Sequence, residues 1–229
     1  MGSISIEKND YVNDVTFEKS LDFIKHDKNI PFFLYFLTTA PHMNEESEVE
    51  NRFEVLDAYQ FKDEEWSKDT KEYGALEEHV DGYVGRMEKM LDSLGIAKNT
   101  ITIFTSDNDA VNTSILENNG DLKSYKLDLY EGGIRVPVIV KWPKVIKENE
   151  ISNHISDLYD FFPTLCDVAG VKDYPKTNGI SLLPELKGEK QSEHEYLYWE
   201  FDWLKPKRTA IRYNRWKGVL NAPDADWEV

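Results

Sequence analysis

Cysteine is nearly missing from the 229 residues: Cys166 stands alone, which excludes an internal disulfide and any zinc cluster built on several thiolates. Long apolar runs are missing as well. The longest is Phe32 to Leu37, six residues, against the roughly 20 that a bilayer-crossing helix needs, so no membrane span is expected. No basic stretch followed by an apolar segment opens the sequence as given, so no secretory signal is read and the compartment stays open. Positive charge is scarce: 27 Lys and Arg face 43 Asp and Glu, a net of −16. A chain this acidic is poorly suited to hold phosphate backbones or anionic membranes unaided, so nucleic acid is not an expected partner. What remains is a foldable composition, 40% apolar and 13% aromatic, which argues against disorder. The length suits one large domain, or one domain with a small appendage.

Between Glu45 and Asp81 lie 14 acids and 4 bases. The part from Glu45 to Lys71 has no clean period and reads as a partly irregular insertion with a solvated acidic face. Elsewhere helical and strand patterns alternate. Thr16 is a candidate N-cap for a helix to about Ile24, with Phe17, Leu21 and Ile24 on one face. Phe32–Leu37 reads as a strand buried on both faces. Tyr73, Leu76, Val80, Tyr83, Val84, Met87, Leu91 and Leu94 predict an amphipathic helix that Gly95 ends. Ile101–Thr105 and Val136–Val140 read as further strands, and Asp157 opens a helix closed by Gly170. The expectation is an α/β fold with a mainly parallel sheet and flanking helices over residues 1–178. Aromatic alternation in Tyr196–Phe201, Thr209–Tyr213 and Trp216–Leu220 predicts a small antiparallel subdomain over residues 179–229.

Ligands of open α/β sheets bind beyond the carboxyl ends of strands. His42 falls there after Phe32–Leu37, and Asp107 and Asn108 fall there after Ile101–Thr105; Lys126 precedes the stretch leading into Val136–Val140. Singly, each has an ordinary reading: a loop histidine, an Asx turn, a solvated lysine. Together they describe a hard-cation site, carboxylate plus amide oxygen, beside cationic donors suited to an anion.

The same residues carry a resemblance. Pro31–Tyr35 with Ala40-Pro41-His42 resembles the PFFLYxxxxAPH segment of type I sulfatases, within the alkaline phosphatase superfamily. Ala75–Asp81 with Val84-Gly85-Arg86 resembles the helix that follows. Asn99–Asn108 resembles NTxxxFTSDNG, Lys126–Pro137 resembles KxxLYEGGxRVP, and Asp157–Gly170 resembles DLxPTLxxxAG. Leu197–Glu200 and Arg212–Lys217 resemble the aromatic tail segment, so the likeness runs from about residue 11 to 217 in order. It implies an alkaline phosphatase-like fold and hydrolysis of a sulfate ester on a sugar or aryl group. It implies Asp107 and Asn108 as ligands of Ca²⁺ (or Mg²⁺), and His42 and Lys126 as catalytic, substrate-binding groups on the sulfate oxygens, Lys126 near the leaving oxygen. The partner implied is a sulfated small molecule or glycan.

The departures shape the expectation. Sulfatases of this type attack sulfur with a formylglycine hydrate made from Cys or Ser in C/S-x-P-x-R, and that motif is absent from the 229 residues. Cys166 lacks the following Pro and Arg and reads as a core-facing helix residue. The paired acids that complete the family's metal site are absent too, Asp109 stands where Gly is usual, Lys123 where Arg is usual, and Met43-Asn44 follow the histidine. The chain therefore resembles the second half of a sulfatase: part of a metal and sulfate pocket, inactive by itself. Two other readings stay open, a non-catalytic anion- or partner-binding remnant and a phosphodiester or phosphonate hydrolase relative. A severed sheet also predicts self-association through an exposed edge at Phe32–Leu37.

Overall fold

The computed structural model describes residues 11–45, 47–48, 52–53, 55, 59–110, 118–203 and 206–229. It divides into two compact units, Met1–Thr100 and Ile101–Val229. Part of the acidic insertion expected over 45–71 lies outside the described residues; its end holds a 3₁₀ turn, Tyr59–Phe61, and the start of a helix.

In the first unit, α1 (Val12–Asp27) and α2 (Lys68–Ser93) pack together. Phe17, Leu21 and Ile24 recur at spacings of four and three, and all three are buried, as the periodicity demands. Phe17 stacks on Tyr83 of α2 with ring centroids 4.4 Å apart. Arg86 pairs with Glu18 and caps the Phe17 ring. α1 begins four residues earlier than Thr16. The Thr16 hydroxyl donates to the Val12 carbonyl at 2.8 Å inside the helix, so it is satisfied without capping. Ser67 caps α2, accepting from the Thr70 N–H, and Gly95 follows the helix at φ +71°.

Phe32–Leu37 departs from expectation. The segment has no ladder partner among the described residues, and its side chains alternate. Phe32, Leu34 and Phe36 pack on the two helices, while Phe33, Tyr35 and Leu37 are 69%, 72% and 65% exposed. One face is covered and the other is wet, which a run of six apolar residues cannot reveal in advance.

In the second unit, β1 (Thr102–Thr105) and β2 (Val138–Lys141) pair antiparallel, Thr102 opposite Lys141 and Thr105 opposite Val138. The mainly parallel sheet read from the sequence is thus corrected: every strand pairing among the described residues is antiparallel. Between the strands lies a single helical turn, α3 (Glu131–Ile134). A 3₁₀ turn at Leu158–Asp160 runs into α4 (Phe161–Val168), which carries Cys166 half-buried, and α5 (Leu183–Leu186) follows. Asp157 and Asp160 form a reciprocal capping box. The fully buried Asp160 carboxylate accepts N–H bonds from Asp157, Ile180 and His194, so its charge is met on several sides. Strands β3 (Leu197–Phe201), β4 (Arg208–Tyr213) and β5 (Trp216–Leu220) form the expected antiparallel meander, in the order β3-β4-β5. Ala210 and Val219 lie opposite each other on its inner face and are buried with Leu129; Trp199, Phe201, Tyr130 and Ile134 pack around them.

Candidate functional site

Asp107, Asn108 and Lys126 all belong to the second unit. Asp107 is exposed where β1 runs out, and Asn108 is half-buried behind it. The Ser106 hydroxyl donates to the Asn108 carbonyl at 2.8 Å and shapes this turn. Asp109 is half-buried; burial pushes its carboxyl above the usual range, and the Ala110 N–H bond opposes that. Two backbone bonds tie the loop to the rest of the site. The Lys126 N–H donates to the Ala110 carbonyl at 2.9 Å, and the Asp109 N–H donates to the Gly133 carbonyl at 3.2 Å. The backbone at Lys126 is therefore held beside the strand-end loop that carries Asp107 and Asn108.

The Lys126 loop is strained and heavily braced. Ser124 and Leu127 flank it at φ +70° and +74°, a backbone region that L-residues other than Asn and Asp seldom occupy. The Asn119 amide donates to the carbonyls of Ser124 and Gly132, at 2.8 and 2.7 Å. The Ser124 hydroxyl donates to Asp128, and Arg208 of β4 donates to the Leu127 carbonyl at 2.8 Å. Gly132 and Gly133 admit the loop's backbone. A Cβ on Gly132 would sit 2.1 Å from the Ser124 carbonyl oxygen, and one on Gly133 would sit 2.2 Å from that of Asp128. Glu131 completes the brace, its carboxylate accepting from Lys217 Nζ at 2.8 Å and Arg212 Nη1 at 3.2 Å. Burial works to raise the Glu131 carboxyl, but the Lys217 bond and the charges of Lys217, Arg212 and Arg135 hold it below the usual range. At Lys217, by contrast, burial outweighs the attraction of Glu131 and the ammonium is pushed down. From beyond β5, Glu228 accepts from Lys123 Nζ at 2.8 Å and from the Tyr130 hydroxyl at 2.6 Å; its backbone bridges Val219.

His42 belongs to the first unit and is exposed. It follows the extended segment through Thr38-Thr39-Ala40-Pro41, with the Ala40–Pro41 peptide cis. Its N–H donates to the Thr39 carbonyl at 2.8 Å. The ring's Nδ1 lies 2.6 Å from the Met43 carbonyl; a carbonyl only accepts, so Nδ1 carries the proton and Nε2 is the nitrogen that can meet a ligand.

As cation ligands, Asp107 and Asn108 are right in kind, since hard divalent ions take carboxylate and amide oxygens. They fall short in number. Ca²⁺ takes about 6–8 oxygens, and no group of three or more His, Cys, Asp or Glu among the described residues comes together as a metal cage. The bracing groups were invisible in the sequence: Asn119, Asp128 and Arg208 carry no motif, and positive φ at Ser124 and Leu127 has no glycine to announce it.

Comparison with known proteins agrees with this architecture. A family model described as Sulfatase matches residues 4–171, and one described as N-sulphoglucosamine sulphohydrolase, C-terminal, matches residues 124–228. The chain belongs to the sulfatase family. It is 34% identical over 219 residues to the uncharacterized sulfatase YdeN of Escherichia coli K12, covering 93% of this chain and 36% of that protein. It is 31% identical over 218 residues to the mouse N-acetylgalactosamine-6-sulfatase, covering 92% of this chain and 39% of that protein. The chain thus spans well under half the length of these relatives. The solved structure of Ps i-CgsB in complex with k-i-k-neocarrahexaose superposes with TM-score 0.81 at 27% identity, over 98% of this chain and 49% of that one. The structure of BT4656 with its substrate D-glucosamine-2-N,6-O-disulfate gives TM-score 0.58 at 27% identity, over 70% and 33%. No helix among the described residues is long and apolar enough to cross a membrane.

Proposed function

We propose that this chain supplies the cation- and sulfate-holding part of a sulfate ester hydrolase acting on a sulfated glycan or other sulfated small molecule. The observation that carries the reading is the 2.9 Å bond from the Lys126 N–H to the Ala110 carbonyl, which ties the backbone at Lys126 to a strand-end loop of hard oxygen donors. Asp107 and Asn108 would hold Ca²⁺ or Mg²⁺, and the ion when bound would draw charge from the ester oxygens. Lys126 would offer its ammonium to a sulfate oxygen near the leaving group, where negative charge grows as the S–O bond breaks. His42 offers Nε2 to the anion, donating when the ring carries both protons. The substrate class is suggested by the sugars bound to Ps i-CgsB and BT4656. No C/S-x-P-x-R segment lies within the 229 residues, so turnover would depend on a nucleophile supplied from outside this sequence. Residues 179–229 act in this reading as a bracing subdomain for the Lys126 loop. The wet face of Phe33, Tyr35 and Leu37 is proposed to drive self-association.

Calorimetric titration tests the reading. Ca²⁺ should bind weakly, on the order of millimolar as in the poorest extracellular sites, and Asp107→Ala should abolish the signal. Inorganic sulfate should bind more weakly to Lys126→Ala than to the unmodified chain. Tight Ca²⁺ binding retained in Asp107→Ala, or sulfate binding indifferent to Lys126→Ala, would overturn it.

A further inference from the structure

Asn13 has no place in any motif, yet it is 6% exposed and makes four side-chain hydrogen bonds. Its Oδ1 accepts from the Thr38 hydroxyl at 3.1 Å, the Thr39 N–H at 3.1 Å and the Thr39 hydroxyl at 3.0 Å. The Thr39 N–H can only donate, which fixes the flip of the amide, and Nδ2 then donates to the Tyr11 hydroxyl at 2.9 Å. The bonds continue toward the histidine. The Thr38 hydroxyl, while donating to Asn13, accepts from the Ala40 N–H at 3.2 Å, and the Thr39 carbonyl accepts from the His42 N–H at 2.8 Å. One buried oxygen on α1 thus sets the backbone from which His42 projects, 29 residues along the chain.

We infer that Asn13 is a positioning residue for His42, acting through the Thr38-Thr39 turn. The inference rests on the reading of His42 as an anion-holding group. Helix α1 is anchored through Phe17, Leu21 and Ile24 in buried clusters, and Asp14 beside Asn13 accepts from His79 and Tyr83 of α2, both at 2.8 Å. The acceptor is therefore held by a rigid element, whereas Thr38–His42 forms no regular structure of its own. A site group on a loop gains its precision from such an outside tether. An oxygen at this position is the requirement; among the described residues the amide NH₂ serves Tyr11, whose hydroxyl can instead donate to a carboxylate.

The test is NMR on the full chain, reading amide hydrogen exchange and the His42 ring signals during titration with inorganic sulfate. Asn13→Ala should speed exchange at the Thr39 and His42 amides by roughly tenfold, the scale of one lost buried hydrogen bond, while Leu21 and Leu91 amides keep their protection. The sulfate-induced shift of the His42 ring should weaken at least about threefold by the same argument. Asn13→Asp, which keeps the oxygen, should restore both. Thr39→Val removes one donor from the opposite side and should show a smaller change at the same amides, so the inference stays testable if Asn13→Ala fails to fold. Unchanged exchange at Thr39 and His42, no rescue by Asn13→Asp, or equal loss at Leu21 and Leu91 would overturn it. Sulfate that leaves the His42 ring unmoved in the unmodified chain would instead sink the anion-holding reading, while the exchange results still decide the tether.

Discussion

Two residues in the Lys126 brace show how little latitude the site allows. Gly132 is required by distance and not by φ: any Cβ would lie 2.1 Å from the Ser124 carbonyl oxygen, and backbone oxygens cannot retreat as a side-chain tip can. Gly132→Ala should cost about 3 kcal/mol, the upper range of overpacking penalties, read as a lower urea midpoint. Glu131 is held by charge. Glu131→Gln leaves Lys217, 13% exposed at its side chain, without its counterion; breaking a buried pair costs about 3–5 kcal/mol, and partial exposure of Glu131 reduces the expectation to roughly 2 kcal/mol. The Glu131 carboxyl is depressed in the folded state, so its stabilisation is present above the ordinary carboxylate range and lost as pH falls through the folded value. Acid titration of stability should therefore be flatter in Glu131→Gln than in the unmodified chain. An equal acid limb in both would show that Glu131 is not the group responsible.

At the scale of elements, the sequence was legible where a pattern answers to one neighbour and opaque where it answers to several. Strands β3, β4 and β5 begin and end within one residue of the aromatic alternation; in β3 burial alternates along the strand as the side chains do, whereas in β5 both Gly218 and Val219 are buried. Helix α2 was legible from its own apolar period, although its first turn, Lys68–Glu72, is too polar to register. Direction of pairing was not legible: β1 and β2 meet antiparallel, and nothing within Ile101–Thr105 or Val136–Val140 encodes the path of the intervening chain. Phe32–Leu37 was misjudged because an apolar run reports hydrophobicity and not which face finds a partner. His42, Asp107, Asn108 and Lys126 could be proposed from motifs, but Asn13 could not, since its partners lie 25 and 26 residues away. The outward face of the 32–37 segment carries its own prediction. Phe33→Thr with Tyr35→Thr removes exposed aromatic area without touching Phe32, Leu34 or Phe36. Sedimentation should then show a monomer under conditions where the unmodified chain associates, and unchanged association would place the sticky surface elsewhere.

Over the whole molecule, charge competes with that surface. A net charge of −16 opposes close approach of two copies while salt is low, with a Debye length of about 10 Å at 0.1 M shrinking to about 3 Å at 1 M. Association of the unmodified chain should therefore increase with ionic strength, and sedimentation velocity across that range is the measurement. A monomer at every salt concentration, with no binding of a hydrophobic dye, would mean that the exposed face is too small to hold a second copy.

The bracing of the Lys126 loop also has a direction in time. Its long-range contacts come from Arg208, Arg212, Lys217 and Glu228, reaching back to Leu127, Glu131 and Lys123 across 81 to 105 residues. A ribosome that has just added Tyr159 has made every residue of the loop and none of those clamps. At that point the loop can have its local bonds to Asn119, Asp128 and Ala110 but not the long-range ones. The long-range clamps on the Lys126 loop can close only once residues 208–228 have been made, well after Asn13 and the Thr38-Thr39 turn have had the chance to meet.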